Sequence, residues 1–412
     1  FLGNKDYFYG ELDYNDTFGP NIEWHYSPEK TSFYQAVNNF SKIFNSIILK
    51  KTSGKKIILP LSGGLDSRTI AAALKDQSNV VVVSYEFKNG IKETEYAKRI
   101  AKVYGWDFHP FTIPDGYLWN KLDNLSEINR CETEFTHPRQ MSYIDQISEL
   151  GDIIFLGHLG DALFSSHGNN KLSINEQTNY IINNYTKPGG VELAKDLWTH
   201  WKLSGDFEEK LFQKVKELLL KIKINNPSSR IRAFKSIYWV SRWTNPNLKV
   251  FSNYSEIFLP YYDSMICEFI CRTPEEYLSQ RKIQIEYIKS QAPELSEIPW
   301  QTYDLDLNKF KYFNSIYFPR RIIRYIKRKV NENLFNSASL IERNWELQFL
   351  GEENDRNLKR FLFDNHSLHQ LVPKKIIKEY YYKFINIDKV KYSHPISMLL
   401  TLSYWLKNHW KN

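Results

Sequence analysis

Four short apolar runs, "KKIILPL" (55–61), "NVVVVSYEF" (79–87), "WDFHPFTI" (106–113) and "GDIIFLG" (151–157), alternate with stretches of helical spacing at 66–75, 93–104 and 138–150. Runs of Val, Ile and Phe without polar alternation suit strands buried on both faces, and the intervening helices suit crossovers. This pattern predicts an α/β domain: a parallel twisted sheet with helices on both faces. Upstream, Phe33, Val37, Phe40, Phe44, Ile47 and Ile48 recur near helical spacing, with Thr31 or Ser32 as N-cap. From about Lys171 onward strand signals fade, and patterns such as "FEEKLFQKVKELLLKIK" and "SMICEFICRT" predict a mostly helical region. At 412 residues the chain exceeds one ordinary core, since domains run to roughly 100–200 residues. The expected division is a terminal hairpin or linker over 1–28, the α/β domain over 29–170, and the helical region over 171–412.

The first strand ends in "LSGGLDSRTIAAAL" (61–74). Gly63 and Gly64 let the backbone approach an anion closely, and the helix beginning near Asp66 points its unpaired N–H groups at the same place. Ser62 and Ser67 add hydroxyl donors. Asp66 is out of place among groups arranged for an anion unless a cation sits between them. Mg²⁺ bridging protein and phosphate oxygens answers that need. The stretch lacks the GxxxxGK[ST] and GxGxxG patterns. Spacing alone also allows an ordinary glycine turn with an Asp cap.

Composition narrows the remaining classes. Charged residues at 25% and hydrophobic residues at 42% are ordinary for a globular protein, and aromatics at 16% are high. The net charge of +8 favours an anionic ligand but does not by itself argue for nucleic acid. Cys131, Cys267 and Cys271 form neither a metal-type CxxC pair nor an even disulfide set, so a reducing compartment, the cytosol, is expected. No apolar run reaches the ~20 residues of a membrane span.

Ser62-Gly63-Gly64-Leu65-Asp66-Ser67 resembles the pyrophosphate-binding loop of N-type ATP pyrophosphatases, which carry an adenine nucleotide α-hydrolase-like fold. Over roughly residues 20 to 305 the surroundings resemble the synthetase domain of asparagine synthetase, β-lactam synthetase and lasso-peptide cyclases. The supporting segments are "IEWHYSPEK", "VVVVSYEF", "KETEYAKRIAKVYG", "LGHLGDALF" and "FLPYYDSMICEFICRTPEEYL". The resemblance implies ATP and Mg²⁺ as cofactors, with Leu61, Ser62, Gly63, Gly64, Leu65, Asp66, Ser67, Tyr85 and Gly157 around the nucleotide. It implies Asp66 and Asp161 as metal ligands. The reaction implied is activation of a small-molecule or peptide carboxylate as an acyl-adenylate, followed by attack of ammonia or an amine.

Three departures from the family pattern stand out. The acid after Asp161 is replaced by Ala162, and His158 stands where relatives carry Glu or Tyr. His158 is either a general base toward the amine or a hydrogen-bonded structural histidine. Tyr303 stands about where the family's phosphate-stabilising Lys is expected, leaving Arg68, Lys309 or Lys311 to supply the cation. The missing Glu points away from aspartate and toward a specialised acid, such as a sugar uronate or a peptide side chain. Asp263 is expected to be structural. Glu93 and Glu95 fit a solvated helix face, and "EFTHPRQ" (134–140) could line an acceptor pocket or merely form a loop.

Residues 1–28 look like the last hairpin of a glutaminase-like domain, which leaves open a separate glutaminase, free ammonia or a substrate amine as nitrogen source. Two other readings share the loop. One is a tRNA-modifying enzyme, against which stand the absent CxxC pairs and the asparagine-synthetase-like flanks. The other is a nucleotide-binding descendant without turnover, motivated by Ala162 and the absent Lys.

Overall fold

The computed structural model describes residues 22–88, 90, 92–168, 171–312 and 346–409. Most of the expected terminal hairpin therefore lies outside the described residues. Its last part is extended: Ser27 and Glu29 donate backbone hydrogen bonds to the carbonyls of Cys271 (3.0 Å) and Arg272 (2.8 Å).

Helix α1 (Phe33–Thr52) starts at Ser32, whose hydroxyl accepts from the Gln35 N–H while the Gln35 side chain accepts from the Ser32 N–H. This reciprocal capping box satisfies two otherwise orphaned donors. The helix buries Phe40 and Phe44 completely, and a ring of that size contributes roughly 1.5–3 kcal/mol on burial. Then follow β1 (Ile57–Pro60), α2 (Asp66–Ala73), β2 (Val80–Phe87), α3 (Glu93–Tyr104), β3 (Asp107–Ile113) and β4 (Ile153–Phe155). The helix expected over 138–150 is broken into a 3₁₀ turn, Arg139–Ser142, and a short helix, Ile144–Ser148.

The sheet has one strand that the apolar pattern does not announce. Strand β5 (Glu256–Phe258), in the otherwise helical second half, pairs in parallel with β4 through Ile154 and Ile257. Three residues are too few to show a period. Strand order is β3-β2-β1-β4-β5, all parallel, with Ile58 beside Val81 on one side and Ile154 on the other. The order reverses between β1 and β4. In such sheets ligands bind outside the carboxyl ends of the strands at that reversal, and the turns leaving β1 and β4 both sit there.

One core cluster packs α1, α2 and helix Lys282–Gln291 on the face carrying Ile57, Leu59 and Val82. The opposite face, with Ile58, Val83 and Ile154, packs against helices from both halves of the chain, including Glu352–Phe363, Lys374–Asn386 and Lys389–His409. A smaller cluster joins helices Ile174–Tyr185, Phe207–Leu220 and Pro227–Phe234. The last of these continues into a ten-residue π-helix, Lys235–Thr244, and then into Asn245–Ser252. Long π-helical stretches are rare and often mark functional positions. All three cysteines are buried and free. Among the described residues, no helix is long and apolar enough to cross a membrane.

Candidate active site

Leu61 continues β1 by donating to the Val83 carbonyl (2.8 Å), and the chain then folds over itself. The Ser62 N–H donates to Ser67 Oγ (3.2 Å), and the Gly64 N–H donates to Ser62 Oγ (3.2 Å). These two bonds close the loop at the N-terminus of α2, where Asp66 begins the first turn. The turn leaving β4 presses against it from the other side. A Cβ on Gly157 would stand 3.1 Å from the Ser67 nitrogen, and one on Gly160 would overlap Asp66 Oδ1. Glycine at 160 is thus a condition for the two turns to meet. Between them Leu159 takes a left-handed backbone (φ 75°), a strained conformation of the kind that clusters at functional sites.

The approach brings the two expected metal ligands together. Burial raises the Asp66 carboxyl above its ordinary range; the Arg281 guanidinium opposes this, and the neighbouring Asp161 charge adds to the rise. Burial would also raise Asp161, but Lys235, Arg281 and His167 outweigh it and hold that carboxyl low. The two turns thus set Asp66 and Asp161 beside each other, two carboxylates that could hold Mg²⁺. Magnesium is commonly held by one or two carboxylates together with phosphate oxygens and water.

The cations here differ from those expected. Arg68 is fully buried, and its guanidinium donates to the carbonyls of Ile298 (2.7 Å), Pro299 (2.9 Å), Gly63 (3.3 Å) and Leu295 (3.4 Å). It is a strut that ties the loop to the 295–299 segment through four carbonyls. Lys309 pairs with Asp306 on its own turn, and the side chain of Lys311 lies outside the described residues. Arg281 instead pairs directly with Asp66, and Lys235, on the π-helix, lies 3.5 Å from Asp161. Arg281 and the preceding Gln280 are both left-handed (φ 63° and 58°), a costly backbone that aims the guanidinium. Gln284 donates to Asp66 Oδ1 (3.1 Å) and the Tyr261 hydroxyl to the Asp66 carbonyl (2.9 Å). No local pattern signals Arg281 or Lys235, because their relation to the loops is purely tertiary.

His158 stands on the second turn with Nδ1 buried and without a hydrogen-bond partner. Burial depresses its pKa to about 4, and the Asp161 charge only partly offsets this. The ring is therefore neutral at physiological pH but a weaker base than an exposed histidine. Ala162 is fully buried in the core, so position 162 has no room for a hydrated acid. Its carbonyl lies 2.7 Å from His167 Nε2, which assigns the proton to that nitrogen, while Tyr185 donates to Nδ1 (3.2 Å).

The remaining expected residues fall around this centre. The 300–305 segment is drawn to the loop by the Gln301 N–H on the Gly63 carbonyl (3.2 Å), and Tyr303 packs on Trp300 at 4.7 Å between ring centres. Glu93 accepts from Gln301 Nε2 (3.3 Å), whereas Glu95 is exposed. Tyr85 packs against Tyr143 at 5.5 Å. Asp263 caps helix Ser264–Arg272 through the Met265 N–H (2.9 Å). His137 packs on Trp243 at 4.4 Å.

A family model described as asparagine synthase matches residues 50–407, which takes in the whole sheet and both acidic turns. The chain belongs to the asparagine synthase family. Members of this family are ATP-using synthetases, generally ATP-dependent ligases. No curated protein matches the chain significantly.

Proposed function

We propose that the chain is an AMP-forming amide synthetase that activates a carboxylate with ATP and passes the acyl group to ammonia or an amine. A carboxylate oxygen attacks the α-phosphorus, the bond from that phosphorus to the bridging oxygen breaks, and pyrophosphate leaves. The nitrogen then attacks the acyl carbon and loses a proton, and AMP departs. Division into two steps through a mixed anhydride lowers the barrier to a direct condensation. The observation that carries this reading is the convergence of Asp66 and Asp161 beside the 62–67 loop at the reversal point of the sheet.

In this reading Ser62, Gly63, Gly64, Leu65 and Ser67 hold the pyrophosphate, while Leu61, Tyr85 and Gly157 border the nucleoside. Bound Mg²⁺ would be held by Asp66 and Asp161 and would neutralise developing charge on the leaving pyrophosphate. Arg281 and Lys235 take the charge-stabilising role that Lys309 and Arg68 are not positioned to fill. His158, neutral at working pH, accepts the proton of the attacking amine. The nitrogen comes either from a separate glutaminase or directly as ammonia or a substrate amine.

The test is pyrophosphate release from Mg-ATP stimulated by a panel of carboxylic acids, followed by amide formation with ammonia. Wild-type release that disappears in Asp66→Asn is expected, and release indifferent to that change removes the site. Nucleotide binding without turnover is the second reading, favoured by the ion pair in which Arg281 already neutralises Asp66. Tight ATP binding with no pyrophosphate release from any acid in the panel would select it.

A further inference from the structure

The lysine beside Asp161 stands in an aromatic corner. Lys235 opens the π-helix Lys235–Thr244 and is only 9% exposed, a burial that lysines rarely reach without partners. Its Nζ lies 5.0 Å from the ring centre of Trp239, four positions along the same helix. It lies 5.6 Å from that of Tyr185, the last residue of helix Ile174–Tyr185. The two rings are 6.1 Å apart between centres and inclined by 47°. Among the described residues, Asp161 (3.5 Å) is the one carboxylate within ion-pair distance of this ammonium.

More than that ion pair ties the corner to the acidic turn. The Tyr185 hydroxyl donates to His167 Nδ1 (3.2 Å), and His167 Nε2 donates to the carbonyl of Ala162 (2.7 Å), the residue after Asp161. Further along, the His167 N–H donates to Ser228 Oγ (2.9 Å), and Arg232 Nη2 donates to the Ser165 carbonyl (2.9 Å). Ser228 and Arg232 belong to helix Pro227–Phe234, which runs directly into the π-helix. One continuous helical stretch thus clamps 165–167 with its first part and brings Lys235 to Asp161 at the start of its second. Tyr185 joins the two: its ring flanks the ammonium, and its hydroxyl holds the imidazole that fixes the turn.

A carboxylate partner cancels the charge of an ammonium, whereas an aromatic face attracts it through the ring quadrupole and leaves the charge in place. We propose that Tyr185 and Trp239 are positioning residues that hold the Lys235 ammonium beside Asp161, without a second negative charge, for the leaving pyrophosphate. This rests on the amide-synthetase reading, which gives Lys235 a charge-stabilising role. A lysine has a flexible four-carbon stem, and a cation stabilises developing charge best when it is aimed before the reaction begins. The two rings supply that aim. Tyr185 and Trp239 act through Lys235 and are not themselves catalytic residues.

The experiment is a double-mutant cycle. Trp239→Leu, Tyr185→Leu and the conservative Trp239→Phe are made in the wild type and in Lys235→Met. Each is measured for kcat and KM in acid-stimulated pyrophosphate release from Mg-ATP, and by calorimetry for affinity toward Mg-pyrophosphate. In the wild-type background, loss of either ring is expected to lower kcat about 10-fold to 100-fold with the KM for ATP nearly unchanged. Trp239→Phe is expected to recover much of that loss, and Mg-pyrophosphate affinity to fall alongside kcat. In Lys235→Met neither ring should matter further, since the group they hold is gone. Ring variants equal to wild type, or losses as large in Lys235→Met as in the wild type, overturn the proposal. So does a Trp239→Phe protein no better than Trp239→Leu. If the wild type releases no pyrophosphate with any acid, the amide-synthetase reading fails and the cycle in Mg-pyrophosphate affinity decides the corner by itself. Coupling of each ring to Lys235 then upholds it, and additivity or absence of binding overturns it. Should Trp239→Leu fail to fold, Trp239→Phe carries the same cycle.

Discussion

The guanidinium of Arg281 donates to Asp66 Oδ1 across 215 positions of sequence, so the acid that opens α2 is already held by a cation from a distant part of the chain. Truncation of Arg281 leaves Asp66 facing Asp161 with its main offsetting charge gone. The variant Arg281→Met is expected to lose about 1–3 kcal/mol of stability, less than a fully buried pair would because both groups retain some solvent contact. Urea denaturation of Arg281→Met, Asp66→Asn and the double variant gives the coupling. Strict additivity of the two single effects would mean that the pair is not energetically coupled.

Gly160 is where the two turns touch. A methyl group there would overlap Asp66 Oδ1 and crowd Tyr261 at 3.0 Å. The Gly160→Ala protein should therefore fold with its sheet intact but move Asp66 away from Asp161. A fall of about 10²-fold in acid-stimulated pyrophosphate release is the expected scale for such a displacement. Wild-type release in a well-folded Gly160→Ala protein would show that the close approach is not needed.

Arg232 and Glu275 form a buried pair, 2% and 4% exposed, with Ser228 and Ser229 also donating to the carboxylate. Removal of one partner from such a pair strands the other, and Arg232→Ala is expected to cost about 3–5 kcal/mol. Burial would raise Glu275, but Arg232 and the two serines outweigh it and hold the carboxyl below its ordinary range. A depressed carboxyl contributes stability that is complete above its unfolded pKa and is lost as pH falls through the folded one. Wild-type stability should thus decline on acidification below about pH 4.5, with a shallower decline in Glu275→Gln.

His158 and His167 give a separate acid signature. Burial lowers both to about 4, so the native protein holds neutral rings while the unfolded chain takes up protons near 6.5. Their contribution is full above pH 6.5 and lost as pH falls toward 4, on the order of 3 kcal/mol for each ring. Denaturation midpoints of wild type and His158→Phe between pH 7 and 4.5 test this. A His158→Phe protein whose pH slope equals that of the wild type would remove His158 from the account. Amide formation lost in this variant with pyrophosphate release retained would support its role as proton acceptor.

Arg68 separates a structural role from a chemical one. Its four carbonyl contacts imply that Arg68→Met would destabilise the protein by several kcal/mol through unpaired carbonyls, at about 1–3 kcal/mol each. Thermal unfolding should fall sharply. An unchanged Tm with reduced pyrophosphate release would return Arg68 to the chemistry.

What could be read from the residues in order was local. Helix α3 was legible at Glu93–Tyr104, and β2 from its valine run, because alternation of apolar runs with helical spacing needs no partner to be seen. The helix expected over 138–150 failed where Pro138 and the turn at Arg139–Ser142 interrupt it, and β5 was too short to signal. The carbonyl partners of Arg68 were hidden for the same reason that Arg281 was missed. Proximity to a motif in sequence says little about where a guanidinium six bonds long will point.

The sequence by itself determined the strand-loop-helix unit at 57–73, the second acidic turn and the family to which the chain belongs, since each is written in contiguous residues. Only the tertiary structure decided that Asp66 meets Arg281, that Asp161 meets Lys235 on a π-helix, and that Arg139 lies over the rings of Tyr85 and Phe87. Charge pairing depends on distance in space and on the water excluded around it. A chain fixes neither until its helices have packed.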